Sequence, residues 1–413
     1  MRAPDPFTRR LIDGRGDTRG DDPIFALNAE AERRRESGED IVNSTLGTLL
    51  DEEGRLATIP TVAEAYRRIP IERASGYAPI AGPRAFLEAV HEDLFGRSEL
   101  ARCAVSAATP GGTGALALSV SCFLEPGQSV LTSSFHWSPY QTIAEQSGRE
   151  LETFRMFTPF GDFDFESLAS GLERCGRHQG RSLLLLNTPC HNPTGFSFDD
   201  DDWRALGEIL SAAAERQRLT VLVDLAYARY GASDPCAWTR HLEPLLGRAS
   251  LLVAWSASKS FAQYGARVGA CVALEAEGRE RERVRAALGA YCRGSWSNCN
   301  HLGMLAITEC LRDRELAARV ERERTVLREL LARRAELFTR LAAERRLAHP
   351  RYQGGFFVTV FVSDSEAVAA DMRDRGVFVV PVPGAVRVAI CSTPVRSIPR
   401  LVEALAGASA SRA

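Results

Sequence analysis

The segment SASKSFAQYGARVG, Ser256 to Gly269, carries the single lysine of the chain, Lys259; every other one of the 51 Lys and Arg positions is arginine. An arginine side chain stays protonated inside proteins and cannot serve as a nucleophile. A lysine ammonium loses its proton when desolvated and then attacks a carbonyl. A chain that has exchanged its other lysines for arginine keeps this one for its amine. Ser256 and Arg267 flank it, so a hydroxyl and a guanidinium, both suited to holding a phosphate, stand close to the amine in sequence.

Apolar runs lead into and out of this segment: SLLVAW (Ser250 to Trp255) before it and VGACVAL (Val268 to Leu274) after it. Upstream lie SVLTSS (Ser129 to Ser134), SLLLLN (Ser182 to Asn187) and LTVLVD (Leu219 to Asp224), separated by helical patterns that include Gly112 to Phe123 and Asp200 to Arg218. Continuous apolar strands joined by helices predict an α/β fold with a mostly parallel sheet covered on both faces. Ligands of such sheets collect at the carboxyl ends of the strands. Asn187 to Asn192, Asp224 to Tyr227 and Ser256 to Lys259 each follow a strand.

The flanks divide the chain further. Residues 1–22 are rich in Arg, Asp, Gly and Pro and read as a flexible arm or a wrap onto a partner subunit. Asp22 to Glu36 reads as a short helix, and IVNSTLGTLLDEEG as a β-like start with a turn at Asp51 to Gly54. Cys310 to about Leu347 shows one long Arg/Glu/Leu helical pattern, read as a connecting helix, either continuous or kinked or interrupted. GGFFVTVFVS, GVFVVPV and AVRVAICST then alternate as strands around a helix at Asp364 to Arg375, a smaller α+β unit. The expected division is an arm (1–22), a segment joining the small domain (23–60), a large domain (61–315) and a small C-terminal domain (316–413).

A formal charge of −2 offers no basic field to attract nucleic acid or an anionic membrane. The 10 cysteines form no C-x-x-C pair and no Cys/His spacing for a metal, which suits a reducing cytosol. No run is apolar enough for a signal peptide or a membrane span, so a cytoplasmic protein is expected.

Four further stretches carry candidate chemistry. TPGGTGAL, Thr109 to Leu116, brings adjacent glycines to the start of a helix, where free N–H groups and the Thr113 hydroxyl suit a phosphate. Asp224 ends an apolar strand, a costly place for a carboxylate unless it meets a cation or a donor; a cap or a salt bridge would also satisfy it. HNPTG, with Asn192, is a tight turn, and Trp137 in SSFHWSPY is a broad aromatic that could equally be core. Arg387, on AVRVAIC, offers a guanidinium fork for a carboxylate.

A lysine flanked by phosphate-holding groups fits an imine to a phosphorylated aldehyde, the chemistry of pyridoxal 5'-phosphate (PLP). Here the chain resembles the class I aminotransferases of PLP fold type I, the aspartate and aromatic amino acid group. The family's S-x-S-K-x-F-x-x-Y-x-x-R-V-G-A stands here as SASKSFAQYGARVGA. The resemblance runs from about Asp22 to about Thr393, with Gly47, Tyr77, GGTGAL, Trp137, HNPTG, Asp224 with Tyr227, SxSK with Arg267, Arg293 and Arg387 in the family's order.

It implies a large domain built on a seven-stranded sheet between helices, with a smaller α+β domain. It implies transamination by a ping-pong mechanism through a Lys259 aldimine, moving an amino group from an aspartate-type or aromatic L-amino acid to a 2-oxo acid such as 2-oxoglutarate. Catalytic roles fall to Lys259, Asp224 and Tyr227. Gly112, Thr113, Ser256 and Arg267 hold the phosphate, Trp137 stacks on the ring, Asn192 and Tyr227 bind its phenolate oxygen, and Asp224 its nitrogen. Gly47, Asn192, Arg387 and Arg293 meet the substrate, while Tyr77 and Arg293 reach across a homodimer with shared active sites.

Two departures stand out: Tyr140 replaces the family histidine that supports the ring-binding aspartate, and Trp296 replaces a tyrosine near Arg293. His136 and His191 read as loop or core residues. The alternatives are another PLP reaction on the same scaffold (β-lyase, decarboxylase, racemase or oxidase) and a non-catalytic aminotransferase-like sensor.

Overall fold

The computed structural model describes residues 23–96, 98–231, 235–236 and 238–410. The arm expected over residues 1–22 lies outside them. Twelve strands run in chain order: β1 (Val42–Asn43), β2 (Ala104–Pro110), β3 (Ser129–Ser133), β4 (Glu150–Phe154), β5 (Arg181–Asn187), β6 (Arg218–Asp224), β7 (Ser250–Ser256), β8 (Val268–Leu274), β9 (Val358–Phe361), β10 (Val377–Phe378), β11 (Val380–Val382) and β12 (Ala385–Val388).

A seven-stranded sheet has the order β2-β8-β7-β6-β5-β3-β4. Neighbours from β7 through β4 are parallel, and β8 runs antiparallel to both β7 and β2. Its central strands are buried on both faces, as their continuous Leu and Val content demands. One face packs into a core holding Leu184, Val221 and Val253, the other into a core holding Leu185, Leu222 and Leu252. Alternation along each strand divides the two sets.

A three-stranded antiparallel sheet, β11-β12-β9, backs a separate core with Phe338, Val368, Val386 and Leu401. Val42 of β1 joins that core through the parallel β1-β10 pair. The helix Arg314–Glu344 is shared: Val320, Leu327 and Leu331 pack in the large core, and Ala335, Phe338 and Ala342 in the small one.

Several expected elements are redrawn. The long helical pattern from Cys310 is interrupted at Asp313, whose extended backbone ends His301–Arg312 while its carboxylate caps the N–H groups of Glu315 and Leu316. The helix from Asp200 stops at Ala214. Gln217 then turns inward: its amide donates to Leu172 O and its oxygen accepts from Ser182 Oγ. GVFVVPV divides between two sheets, with Pro381 on edge strand β11, where a missing N–H costs nothing. β2 and β4 went unforeseen because AVSAATP and ELETF lack the β-branched runs of the others.

Candidate active site

The carboxyl ends of β5, β6 and β7 open on one place. Strand β7 ends at Ser256, which caps the four-residue helix Ala257–Ser260 by accepting the Ser258 N–H at 3.2 Å. Lys259 therefore projects from a short, externally braced turn. Its Nζ lies 5.5 Å from the Tyr227 ring centroid and 5.9 Å from that of Tyr264, and it has no hydrogen-bond partner among the described residues. Burial lowers the Lys259 pKa; the Asp224 charge opposes that shift and Arg267 adds to it.

Asp224, at the end of β6, is buried. Its Oδ2 accepts from Tyr140 Oη at 2.6 Å and its Oδ1 from the Ala226 N–H at 3.0 Å. Burial raises the carboxyl pKa, against the pull of these donors and of the Lys259 charge. Burial and the adjacent carboxylate push the Tyr140 phenol well above its ordinary value, so it stays protonated and donates. The phenol thus supports the Asp224 carboxylate.

Asn187 closes the end of β5: its Nδ2 donates to Asp224 O at 2.9 Å and its Oδ1 accepts the Asn192 N–H at 2.7 Å. The Asn192 amide points toward Tyr227 Oη at 3.4 Å, and its buried Oδ1 has no partner. Trp137 meets Tyr140 edge-on with centroids 5.6 Å apart. His191 is a core residue as expected: burial lowers its pKa to about 3, with Thr194 Oγ1 2.9 Å from Nδ1. His136 Nδ1 lies on Ser133 O.

A cradle forms between the start of the helix Gly111–Phe123 and the Lys259 segment. Arg267 donates from Nη1 to Ser258 Oγ at 3.1 Å and from Nη2 to Pro110 O at 3.3 Å. Gly111 is left-handed, and a Cβ there would lie 2.4 Å from Arg267 Nη2. Gly112 faces Ser256, and Thr113 is exposed at the rim. Glycines, hydroxyls and one guanidinium converge here, a donor set that fits a phosphate.

Arg387 comes from β12. It is buried, its Cζ lies 4.5 Å over the Phe357 ring, and Nη2 donates to Thr45 O at 2.6 Å. Gly47 lies against the same ring, where a Cβ would meet Phe357 Cζ at 2.7 Å. Two expected site residues do not join these contacts. Tyr77 is 94% exposed, and Arg293 is exposed with Nη1 on Ser297 Oγ at 3.1 Å.

The sequence reading placed Asn187 and Ser258 within candidate segments at strand ends without giving either a role, and it named neither Phe357 nor Tyr264 as a site residue. Tyr264 stands inside the motif already singled out and could have been taken from it. Phe357 carries no signal short of the fold. Among the described residues, no cluster of His, Cys, Asp and Glu could hold a metal, and no helix is long and apolar enough to cross a membrane.

The sequence family described as aminotransferase class I and II matches residues 39–405. An aspartate aminotransferase of Pseudomonas aeruginosa is 29% identical over 355 residues, covering 81% of this chain and 85% of its own. An aminotransferase structure from Anaerococcus prevotii superposes with a TM-score of 0.91 at 30% identity, covering 97% and 99% of the two chains. An aromatic-amino-acid aminotransferase from Burkholderia pseudomallei, covalently bound to pyridoxal phosphate, gives a TM-score of 0.81 at 25% identity, covering 97% and 100%.

Proposed function

The chain belongs to the class I and II aminotransferases, and from that premise we propose how its own residues divide the work. It is an enzyme of amino-acid transamination, and its cofactor is pyridoxal 5'-phosphate. The residues present fit that group: the Gly111/Gly112, Ser256, Ser258 and Arg267 cradle suits its phosphate, and the buried, unpartnered Asn192 Oδ1 marks an amide available to a ligand. When bound, it supplies a carbonyl carbon for the substrate amine and a ring that accepts the electron pair left at Cα.

In this reading Arg387 takes the α-carboxylate in a bidentate fork, prealigned by the Phe357 face and Thr45 O. Lys259 would carry the cofactor, and its amine would take the proton from Cα. A depressed pKa keeps that amine in its basic form at lower pH than an ordinary lysine. Asp224, steadied by Tyr140, would hold a proton on the ring nitrogen. Asn192 and Tyr227 would hold the ring's phenolate oxygen, Trp137 would cover its face, and Gly112 and Thr113 would complete the phosphate contacts. A first 2-oxo acid leaves before a second, 2-oxoglutarate, enters, so the kinetics are ping-pong.

The donor is an L-amino acid of aspartate or aromatic type. A homodimer brings the exposed Tyr77 and Arg293 of one protomer to the site of its partner; Leu56, Ile71 and Ile80, exposed near Tyr77 in sequence, supply apolar surface for that contact. The large domain (61–315) and small domain (316–413, with 23–60) share the helix Arg314–Glu344. Free thiols throughout the described residues fit a cytoplasmic setting.

The observation that carries the reading is Lys259: the sole lysine, at the mouth of the parallel strands, beside two tyrosine rings and within the field of Asp224. The test is single turnover of the PLP-loaded protein with each amino acid and no oxo acid. One equivalent of the matching 2-oxo acid, with the cofactor left as its amine, establishes the reaction and names the donor. Ammonia, CO2, a racemised amino acid or consumed oxygen, with the cofactor returned unchanged, would overturn it.

A further inference from the structure

Lys259 Nζ is aimed by no hydrogen bond of its own, so the backbone of its turn must aim it. Backbone N–H groups just past the helix Ala257–Ser260 reach the carbonyls of Ala257, Ser258 and Lys259, the last from Ala262 at 3.0 Å. Two side chains from elsewhere add a second donor to Lys259 O and a donor to Ser260 O. Tyr230 Oη donates to Lys259 O at 3.1 Å, and Arg324 Nε donates to Ser260 O at 2.8 Å. Arg324 belongs to the helix Arg314–Glu344, and its Cζ also lies 5.2 Å over the ring of Phe261, the next residue along.

Arg324 is 4% exposed, a costly place for a cation. Glu321 pairs with it and with Arg328, while Arg229 pairs with Asp93. Burial, with the field of Arg229 adding to it, lowers the Arg324 pKa, and Glu321, Tyr230 and Asp93 offset it. The second oxygen of Asp93 accepts from Trp255 Nε1 at 2.9 Å. Trp255 stands immediately before Ser256. Two neighbouring ion-pair groups therefore reach the reactive turn from both sides: Arg229–Asp93 through Trp255 where the strand ends, and Arg324–Glu321 through Ser260 and Phe261 where the turn ends.

We propose that Arg324, together with Tyr230, is a positioning residue for Lys259, setting the place of its amine by fixing the carbonyls at and after it. This rests on the functional reading above. It extends that reading to residues that belong neither to the phosphate cradle nor to the Asp224 contacts described above. An apolar side chain of similar size would fill the space behind Phe261 yet leave Ser260 O without its donor.

The sole lysine gives the test an unambiguous reporter. Cofactor-free protein is mixed with pyridoxal phosphate, capture at Lys259 is timed by borohydride reduction and mass spectrometry, and visible circular dichroism is read per bound cofactor. Tyr230→Phe and Arg324→Met are each expected to slow capture by about tenfold or more, as small misplacements of a reacting group do, and to shrink the dichroic band. Arg324→Gln, which keeps an N–H donor, restores part of both. Wild-type capture rate and dichroism in both variants, whatever happens to their melting temperatures, would overturn the assignment and leave a purely structural role. If Arg324→Met does not fold, Tyr230→Phe decides on the same two readouts. A wild-type protein that captures no cofactor at Lys259 would sink the functional reading and this inference together; capture by the wild type with unchanged variants sinks this inference alone.

Discussion

Two regions of the molecule bury charge, and they treat it in opposite ways. Arg334 on the helix Arg314–Glu344 is 0% exposed, and all three of its guanidinium nitrogens are occupied. Nε and Nη2 donate to Glu52 Oε1 at 3.0 and 2.7 Å, Nη1 to Cys391 O at 2.7 Å, and Nη2 also to Leu50 O at 3.0 Å. At the ends of β6 and β7, Asp224 is held by two donors and, among the described residues, Lys259 Nζ by no hydrogen bond. A buried ion whose hydrogen bonds are complete braces a fold. One left with unused capacity is held ready for something that arrives later.

The largest effect should come from the region left incomplete. Lys259→Ala removes both the attachment point and the base, and turnover should fall on the order of 10⁴-fold, with folding stability close to wild type. A stopped-flow assay of single turnover checks this, and undiminished turnover would remove Lys259 from the mechanism. The amine can also be titrated in the cofactor-free protein. Desolvation lowers its pKa from 10.5, with Arg267 assisting while Asp224 and Cys391 oppose. Reaction with an acylating reagent should therefore reach half its maximum below pH 10.5, the ordinary lysine value. A midpoint above that value would mean that the Asp224 attraction outweighs burial.

The saturated region should respond through stability alone. Arg334→Met removes the guanidinium donors to Glu52 Oε1, Leu50 O and Asp51 O and one of the two donors to Cys391 O, a loss of about 3–5 kcal/mol. Urea denaturation reads the loss directly. kcat/KM of the folded protein should stay within about threefold of wild type, as a loss confined to the folding equilibrium requires. A large change in kcat/KM without a stability change would break the contrast.

Legibility followed the same division. The Lys259 segment, Asp224 and the glycine turn could be found in sequence because each is an exception to its surroundings: a lone lysine among arginines, an acid ending an apolar strand, two adjacent glycines opening a helix. The parallel strands were legible because burial on both faces writes continuous Leu and Val into them. Arg334 and Arg324 were invisible in an arginine-rich helix, since only tertiary packing separates a buried guanidinium from a solvated one. β2 and β4 were missed for a related reason: neighbours, not their own propensity, hold them in the sheet. An interruption of the long helical pattern was open in the sequence, but its place at Asp313 was not, because helical periodicity continues across a cap.

Arg387 is also buried, in contact with Thr45 O and the Phe357 ring. Arg387→Leu should keep the packing on Phe357 and remove the fork. Loss of a charged partner to the substrate carboxylate should lower kcat/KM by about 2–4 kcal/mol, or roughly 30- to 1000-fold, mainly through KM. Steady-state kinetics with the best donor measure it. An unchanged KM would place the carboxylate elsewhere.

The smallest effect should come from Tyr140, and it sharpens the contrast most. Its phenol gives Asp224 Oδ2 a short hydrogen bond of 2.6 Å, one of two holding the carboxylate. Tyr140→Phe keeps the ring against Trp137 and deletes only the donor. A hydrogen bond to a charged group contributes about 1.5–3 kcal/mol. Other donors partly compensate, so cofactor affinity and kcat/KM should each fall by about tenfold. Because burial and Asp224 hold the phenol protonated well above its ordinary value, this donor adds no titration of its own across neutral pH. Tyr140→His would restore a donor that titrates near neutrality, so its activity should acquire a pH dependence that wild type lacks. If Tyr140→Phe binds the cofactor as tightly as wild type, Asp224 does not need the phenol. The substitution at this position would then be a packing change and not a replacement support.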